Sequence, residues 1–436
     1  MQIYKAGIII QDSERIIKNG YVSVESGSIT NITDNDDIEK SARIIDISHC
    51  ILIPGFVNAH SHIEYSALKN RIDAKNLWDW IYQIGYKKGK LPSERFLYLS
   101  SLYGASLLIK SGVTSIGDCS PSGVSAKAID DIGLRGTVYR EIFGQSMGDD
   151  YLNLFEKVIS DIEKLIAHTS DLVDIGISPH SVYTTNAEVL NLCAESKYPI
   201  SIHLSETRAE AEYTQYGKGP LQEMRAKFGY NPMTSGKRPV EHIIDTGLFR
   251  EGVSLVHNTH IGNDEIDLIK NTNAGFVFCP RSNGFLGSGF PNIKLFIDND
   301  LNCALGTDSL PSCLNYNFFE EMRYCLASQR AYNENAEILT AKKIFEMATK
   351  GGALVLGKYS KIGSIDKGKK ADLVALNIRD IMPNEDIFLY ILSKNPQDIE
   401  FVMINGEIRA KNGRVFNIEE DNLIKNIYNE LRTNEY

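Results

Sequence analysis

The sequence predicts an α/β fold: a (β/α)8 barrel of the TIM type with a small β-sandwich domain built from both termini. Three observations predict it. Eight short apolar runs end near Val57, Ile116, Val138, Ile177, Ile202, Val256, Phe278 and Leu305, and they have the length and β-branched content of buried strands. Amphipathic stretches separate most of them, among them Glu94–Lys110, Leu152–Ala167, Ala187–Ser196 and Glu265–Asn271. Strands alternating with helices over about 300 residues fit a barrel. Both chain ends have a different texture, that of short strands broken by turns. These divisions place the β-domain at 1–54 and 362–436 and the barrel at 55–361.

At the N-terminal end, Tyr21-Val22-Ser23-Val24 alternates, Gly27 turns, and Ser28-Ile29-Thr30-Asn31-Ile32 resumes. Ile51-Leu52-Ile53-Pro54-Gly55-Phe56-Val57 is apolar and bounded by a Pro-Gly pair, so it reads as a buried strand. Near the C-terminus, Ala371-Asp372-Leu373-Val374-Ala375-Leu376 follows a glycine- and lysine-rich turn. Phe401-Val402-Met403-Ile404 then meets Asn405-Gly406, a dipeptide that favours a tight hairpin. No internal repeat or low-complexity segment interrupts this order.

Composition narrows the function classes. Of the 436 residues, 43% are hydrophobic and 23% charged, which is ordinary for a globular protein. With 46 basic and 56 acidic residues the net charge is −10. An acidic chain without a basic block does not suit a phosphate backbone, so nucleic acid is excluded as a partner. No charged-then-apolar leader and no apolar stretch near about 18 residues is present, so neither secretion nor a membrane span is expected. The seven cysteines are scattered without a C-x-x-C pair, as expected of reduced thiols in a cytoplasmic protein.

In such barrels the active site lies at the C-terminal ends of the strands, and polar residues there gain weight. His60 and His62 follow the first strand; spaced two apart on a strand end, they share a face and form half of a metal site. Taken alone, the triplet reads equally as a pair of surface histidines. His180 follows the fourth strand, His203 ends the fifth with Glu206 three residues later, His257 ends the sixth, and Asp308 follows the eighth. His49, His168 and His242 occupy positions without barrel-mouth geometry, and Cys119 and Cys279 read as packing thiols.

Pro54-Gly55-Phe56-Val57-Asn58-Ala59-His60-Ser61-His62 resembles the strand-1 signature of the amidohydrolase superfamily. His203-Leu204-Ser205-Glu206-Thr207, Leu255-Val256-His257-Asn258 and Leu305-Gly306-Thr307-Asp308-Ser309 resemble later motifs of its deaminase and chlorohydrolase branch. The resemblance covers nearly the whole chain. It implies one divalent metal held by His60, His62, His203 and Asp308. Binuclear relatives place a carboxylated lysine on strand 4, where this chain has His180. Three imidazoles and a carboxylate suit zinc, with iron(II) or manganese tolerated. The implied chemistry is water activated by the metal attacking an amino-bearing ring carbon, its pKa lowered from ~15.7 toward ~7. Asp308 accepts the water proton, His257 orients the water in preference to His260, and Glu206 protonates the ring nitrogen as general acid. His180 is expected to contact substrate, and barrels of this branch commonly form homodimers.

The substrate is less legible. Glu64, the Trp78-Asp79-Trp80-Ile81 stretch and Cys279-Pro280-Arg281-Ser282-Asn283 resemble the aminodeoxyfutalosine deaminases of menaquinone biosynthesis. That substrate is an adenine nucleoside with a benzoate tail. Arg281 or Arg140 is the expected carboxylate clamp. Trp80 is expected to stack on a ring. Glu64 is expected to accept ribose hydroxyls or to support a ligand histidine. The rival readings are an S-adenosylhomocysteine, methylthioadenosine or adenosine deaminase, a hydrolytic dechlorinase acting on another heterocycle, and a metal-binding scaffold without catalysis, which would have no use for Glu206.

Overall fold

The computed structural model describes residues 1–35, 43–89, 93–144, 150–378, 380–382 and 384–433. Eight parallel strands form the barrel: β1 (Phe56–Ser61), β2 (Val113–Ser120), β3 (Arg135–Ile142), β4 (Val173–Pro179), β5 (Ile200–Leu204), β6 (Val253–His257), β7 (Gly275–Phe278) and β8 (Asn302–Leu305). Each pairs with the next in sequence order. The ring closes where Ser61 bridges Asp308 and where the Thr307 and Asp308 amides both donate to the His60 carbonyl, at 3.0 and 3.1 Å. Gly306 permits that closure, because a Cβ there would lie 2.9 Å from His60 Cβ.

Several strands run past the apolar runs that announced them. β2 continues to Ser120 and β3 to Ile142, with Asp118, Ser120 and Glu141 buried. Polar residues at a barrel mouth stay in the ladder, so loss of hydrophobicity does not end these strands. β1 is irregular: its register against β2 shifts between Asn58 and Ser61. Asn58 is tied across to β8, its Nδ2 donating to Thr307 Oγ1 at 2.8 Å. The helix Glu94–Lys110 lies where the sequence places it, with Ser93 accepting from the Phe96 amide at its N-terminus. Among the described residues, no helix is long and apolar enough to cross a membrane.

Both termini contribute to a second sheet. Its strand order is Arg414–Val415, Glu407–Lys411, Ile399–Ile404, Leu373–Asn377, Arg43–Pro54, Gln2–Ile10, Ile16–Glu25 and Ser28–Thr33. All pairs are antiparallel except Gln2–Ile10 with Arg43–Pro54. The two halves meet around a core that includes Tyr4, Val22, Leu52, Phe401 and Met403, with the Tyr4 and Phe401 rings 5.7 Å apart. Asn405 and Gly406 both adopt left-handed backbone, φ 52° and 78°, as a two-residue hairpin requires.

One buried ion pair ties sheet to barrel. Arg135, at the start of β3, donates through Nε to Asp372 Oδ2 at 2.7 Å and through Nη2 to Oδ1 at 3.0 Å. The two side chains are 4% and 2% exposed. Asp372 Oδ1 also accepts the Asn405 amide, and its carbonyl accepts the Gly55 amide just before β1.

Candidate active site

The strand ends bring His60, His62, His203, His257 and Asp308 into one buried cluster. Two sets, His60 with His62 and Asp308, and His60 with His203 and His257, have donor atoms within 4.8 Å of one another. The ring orientations are fixed by carbonyls. His62 Nδ1 lies 3.0 Å from the Cys119 carbonyl and His203 Nδ1 lies 2.7 Å from the His180 carbonyl. A carbonyl only accepts, so each Nδ1 carries the proton and each Nε2 presents a lone pair inward. Those two Nε2 atoms are 3.1 Å apart. Lone pairs facing each other at that distance repel unless a cation lies between them. Among the described residues, His60 Nε2 is buried without a hydrogen-bond partner. Asp308 Oδ1 lies 3.7 Å from His62 Nε2 and 3.9 Å from His60 Nε2. This donor set fits a divalent metal, and nitrogen donors with one carboxylate suit zinc.

The electrostatics agree with that fit. Burial, reinforced by the neighbouring rings, holds His60 well below the ordinary imidazole range, and burial lowers His203 to about 4. Burial alone would raise Asp308, but His62, His257 and the Ser282 hydroxyl outweigh it and keep the carboxylate ionised. Neutral imidazoles beside an ionised carboxylate are the forms a metal requires. Asp308 Oδ2 accepts from Ser282 Oγ at 2.5 Å and Ser312 Oγ at 3.1 Å, and Oδ1 accepts the Ser309 amide at 2.7 Å.

Glu206 stands beside this cluster, its Oε2 3.6 Å from His257 Nε2. Burial pushes its carboxyl well above the ordinary range, and the charge of Asp308 pushes the same way. Both effects favour the protonated, acid form of Glu206. His257 Nδ1 is held by Asn283 Oδ1 at 2.9 Å, leaving Nε2 free of hydrogen toward the cavity. His257 and Asp308 both sit in left-handed backbone, φ 77° and 61°, a conformation that costs a non-glycine residue of order 1–3 kcal/mol and gathers at functional sites. His260 turns away, with Nε2 on the Ser288 carbonyl.

A cavity of about 300 Å³ opens over the cluster. Its floor is polar: His62, His203, Glu206, His257 and Asp308, with Glu141 and His180 to one side. Its walls are largely apolar. The helix Leu77–Gly89 supplies Leu77, Trp80, Ile81 and Ile84, while the segment around the helix Pro220–Lys227 supplies Met224, Arg225, Phe228 and Tyr230. The Tyr82 and Phe228 rings, 5.5 Å apart, join the two segments.

The structure gathers His60, His62, His180, His203, Glu206, His257, Asp308 and Trp80, as the sequence suggested. It corrects three other expectations. Arg140 does not reach the cavity: it donates to the Glu141 carbonyl at 2.7 Å and faces Asp161 at 3.5 Å. Strand alternation turns Tyr139 and Glu141 inward and Arg140 outward. Arg281 does not face the cavity either, because it is spent on the carbonyls of Cys313, Asn315 and Asn317 and lies beside Glu321. Glu64 neither lines the cavity nor touches a ligand histidine: it is buried and accepts from the Ser120 and Ser122 hydroxyls. Four polar residues went unanticipated: Ser282 and Ser312 on Asp308, Asn283 on His257, and Glu141 in the cavity wall. Ser282 and Asn283 immediately follow Arg281, so in Pro280-Arg281-Ser282-Asn283 the two small polar residues, not the arginine, serve the site.

Residues 51–409 match the amidohydrolase family. A 5′-deoxyadenosine deaminase of Methanococcus aeolicus is 30% identical over 98% of this chain and 99% of its own length. A 5-methylthioadenosine/S-adenosylhomocysteine deaminase of Thermoanaerobacter pseudethanolicus is 31% identical over 96% of this chain and 95% of its own. Among solved structures, a zinc-bound adenosine deaminase of Xanthomonas campestris superposes with a TM-score of 0.86 at 22% identity, covering 100% of this chain and 98% of that one. A zinc complex of an atrazine chlorohydrolase of Arthrobacter aurescens gives 0.85 at 18% identity, over 99% and 100%.

Proposed function

The chain belongs to the amidohydrolase family, and from that premise we propose that it is a metal-dependent aminohydrolase removing the 6-amino group of an adenine nucleoside. Ammonia leaves and a 6-oxo purine remains. The observation that carries this reading is a buried Glu206, its carboxyl pushed toward the acid form, next to a His/His/His/Asp donor cluster on a cavity floor. A binding-only scaffold needs no such acid. Relatives named as adenosine-type deaminases support the same class.

His60, His62, His203 and Asp308 would hold the metal, zinc by its donor set, with iron(II) or manganese tolerated. Bound there, a metal supplies a water acidic enough to ionise near neutral pH. Asp308 would accept a proton from the attacking water, its carboxylate steadied by Ser282 and Ser312. His257 Nε2, without a hydrogen, accepts the remaining water hydrogen bond and aims the attack. Glu206 delivers its proton to the ring nitrogen beside the reacting carbon. The proton on Asp308 then goes to the departing amine, and as the C–N bond breaks the proton of the added hydroxyl returns to Glu206, leaving the 6-oxo group and both carboxyls as they began. The mostly apolar walls limit the polar surroundings of these transfers.

The 5′ group is the finer question. Apolar walls suit a 5′-deoxy or 5′-thioether nucleoside, which makes 5′-deoxyadenosine and methylthioadenosine the leading substrates. Aminodeoxyfutalosine is the second reading. Arg140 and Arg281 do not support it, and Arg225, the one arginine or lysine among the described cavity-lining residues, already donates to the Tyr183 and Asn231 carbonyls, so this reading rests on the sequence resemblance. Ammonia release measured on a panel of 5′-deoxyadenosine, methylthioadenosine, adenosine, S-adenosylhomocysteine and aminodeoxyfutalosine tests both. Turnover of the first two should exceed the others. A metal-loaded enzyme inactive on every nucleoside would sink the proposed class.

A further inference from the structure

We propose that Glu210 is the positioning residue for Glu206: its carboxylate grips the backbone that aims the acid into the cavity. This rests on the reading of Glu206 as the general acid. Glu210 lies outside the cavity lining and is 1% exposed. Its Oε1 accepts the Ser205 amide at 3.1 Å and its Oε2 accepts the Glu206 amide at 2.7 Å. Thr207 completes the arrangement: its Oγ1 accepts the Glu210 amide at 3.2 Å and caps the helix Arg208–Tyr216. A Thr-x-x-Glu capping pair ordinarily fastens a helix to the residue before it. Here the glutamate also reaches one and two residues further back, onto Glu206 itself and Ser205 before it.

The grip falls where the chain most needs it. Ser205 has φ 52°, left-handed backbone for a residue with a side chain. Relaxing Ser205 to extended backbone would swing Glu206 away from His257. The Glu206 side chain has little to hold it by itself: among the described residues its hydrogen-bond donor is Ser288 Oγ, at a long 3.4 Å. Its direction is therefore set through its backbone. Burial pushes the Glu210 carboxyl up to about 8, with the amide bonds it accepts pulling against that rise, so the grip rests on those hydrogen bonds and not on a fixed negative charge.

The test is a cycle of Glu210→Ala and Glu206→Gln, with Glu210→Gln as the conservative variant that keeps one acceptor. The readouts are kcat, KM, bound metal, melting temperature and amide exchange of residues 203–210. Glu210→Ala should lower kcat by about 10- to 100-fold with KM nearly unchanged, and Glu210→Gln should recover part of it. Adding Glu210→Ala to Glu206→Gln should cost nothing more. Exchange at the Ser205 and Glu206 amides should speed up at least tenfold in Glu210→Ala. An equal loss of kcat in both backgrounds, or a loss tracking metal content and melting temperature, overturns the proposal. Unchanged amide exchange overturns it even if no nucleoside is turned over, whereas inactivity of the wild type with accelerated exchange refutes only the activity assigned to the site.

Discussion

Replacing Asp372 with asparagine should destabilise the protein far more than a surface ion-pair change. The side chain is 2% exposed, makes two bonds to Arg135 at 2.7 and 3.0 Å, and accepts the Asn405 amide. Asparagine preserves the shape but leaves a guanidinium, 4% exposed, without a counter-charge. Breaking a buried pair in this way costs about 3–5 kcal/mol, whereas exchanging both partners for apolar residues is often neutral. Asp372→Asn and Arg135→Met should each lose roughly that amount, while the double variant Arg135→Met with Asp372→Leu should lose much less than the sum. Urea unfolding can be followed by tryptophan fluorescence, since Trp78 and Trp80 both lie in the barrel's Leu77–Gly89 helix, and by far-ultraviolet circular dichroism for the whole chain. In the single variants the dichroism transition should begin before the fluorescence one, because the small sheet loses its anchor first. A loss below about 1 kcal/mol in both single variants, or strict additivity in the double variant, would refute the argument that this pair is a buried, mutually dependent unit.

Glu206→Gln should lower kcat by about 10²- to 10⁴-fold with metal content unchanged. In the wild type, burial raises the Glu206 pKa, so its acid form persists to higher pH and activity falls as pH rises through that raised value; the residual activity of Glu206→Gln should lack this alkaline limb. Removing the metal with a chelator should lower the melting temperature, since a ligand at a thousandfold its Kd stabilises by about 4 kcal/mol; identical melting with and without metal would count against the site. Asp118 is fully buried, and burial raises its pKa from 3.8 to about 7. A raised carboxyl contributes stability that is complete below about pH 4 and is lost as pH climbs to about 7, on the order of 4 kcal/mol across that span. Asp118→Asn removes this slope, so its stability relative to the wild type should improve steadily between pH 4 and 7; parallel pH profiles would contradict the assignment.

The histidines and Asp308 were legible because each is a polar residue directly after an apolar strand, and a barrel collects strand ends at one mouth. Arg140 was misplaced for a local reason. β3 continues beyond Val138 to Ile142, so the alternation that buries Tyr139 with Cys119 and Val256 points Arg140 at the surrounding helix. The pairing of His60 and His62 survives a strand that is not regular, because the shift in β1 register and the Asn58–Thr307 bonds together direct both rings inward. Side-chain partners brought from distant loops carry no local pattern. Ser282 reaches Asp308, and the Pro220–Lys227 segment covers the cavity, only through tertiary packing. Arg281 and Glu64 looked functional by type alone, but their nearest neighbours consume them.

The seam between β1 and β8 has a temporal meaning. His60 and Asp308 are 248 positions apart, the difference of their numbers, yet the His60 carbonyl takes the Asp308 amide directly. On a ribosome adding about 5–20 residues per second, the first two imidazoles wait roughly 12–50 s for their carboxylate partner. Until then a nascent chain can offer a metal only scattered imidazoles, and tight capture has to follow ring closure. Metal occupancy is therefore a clock for the completed barrel: refolding followed by metal uptake should lag behind the appearance of helix, by the time the last strand takes to find the first.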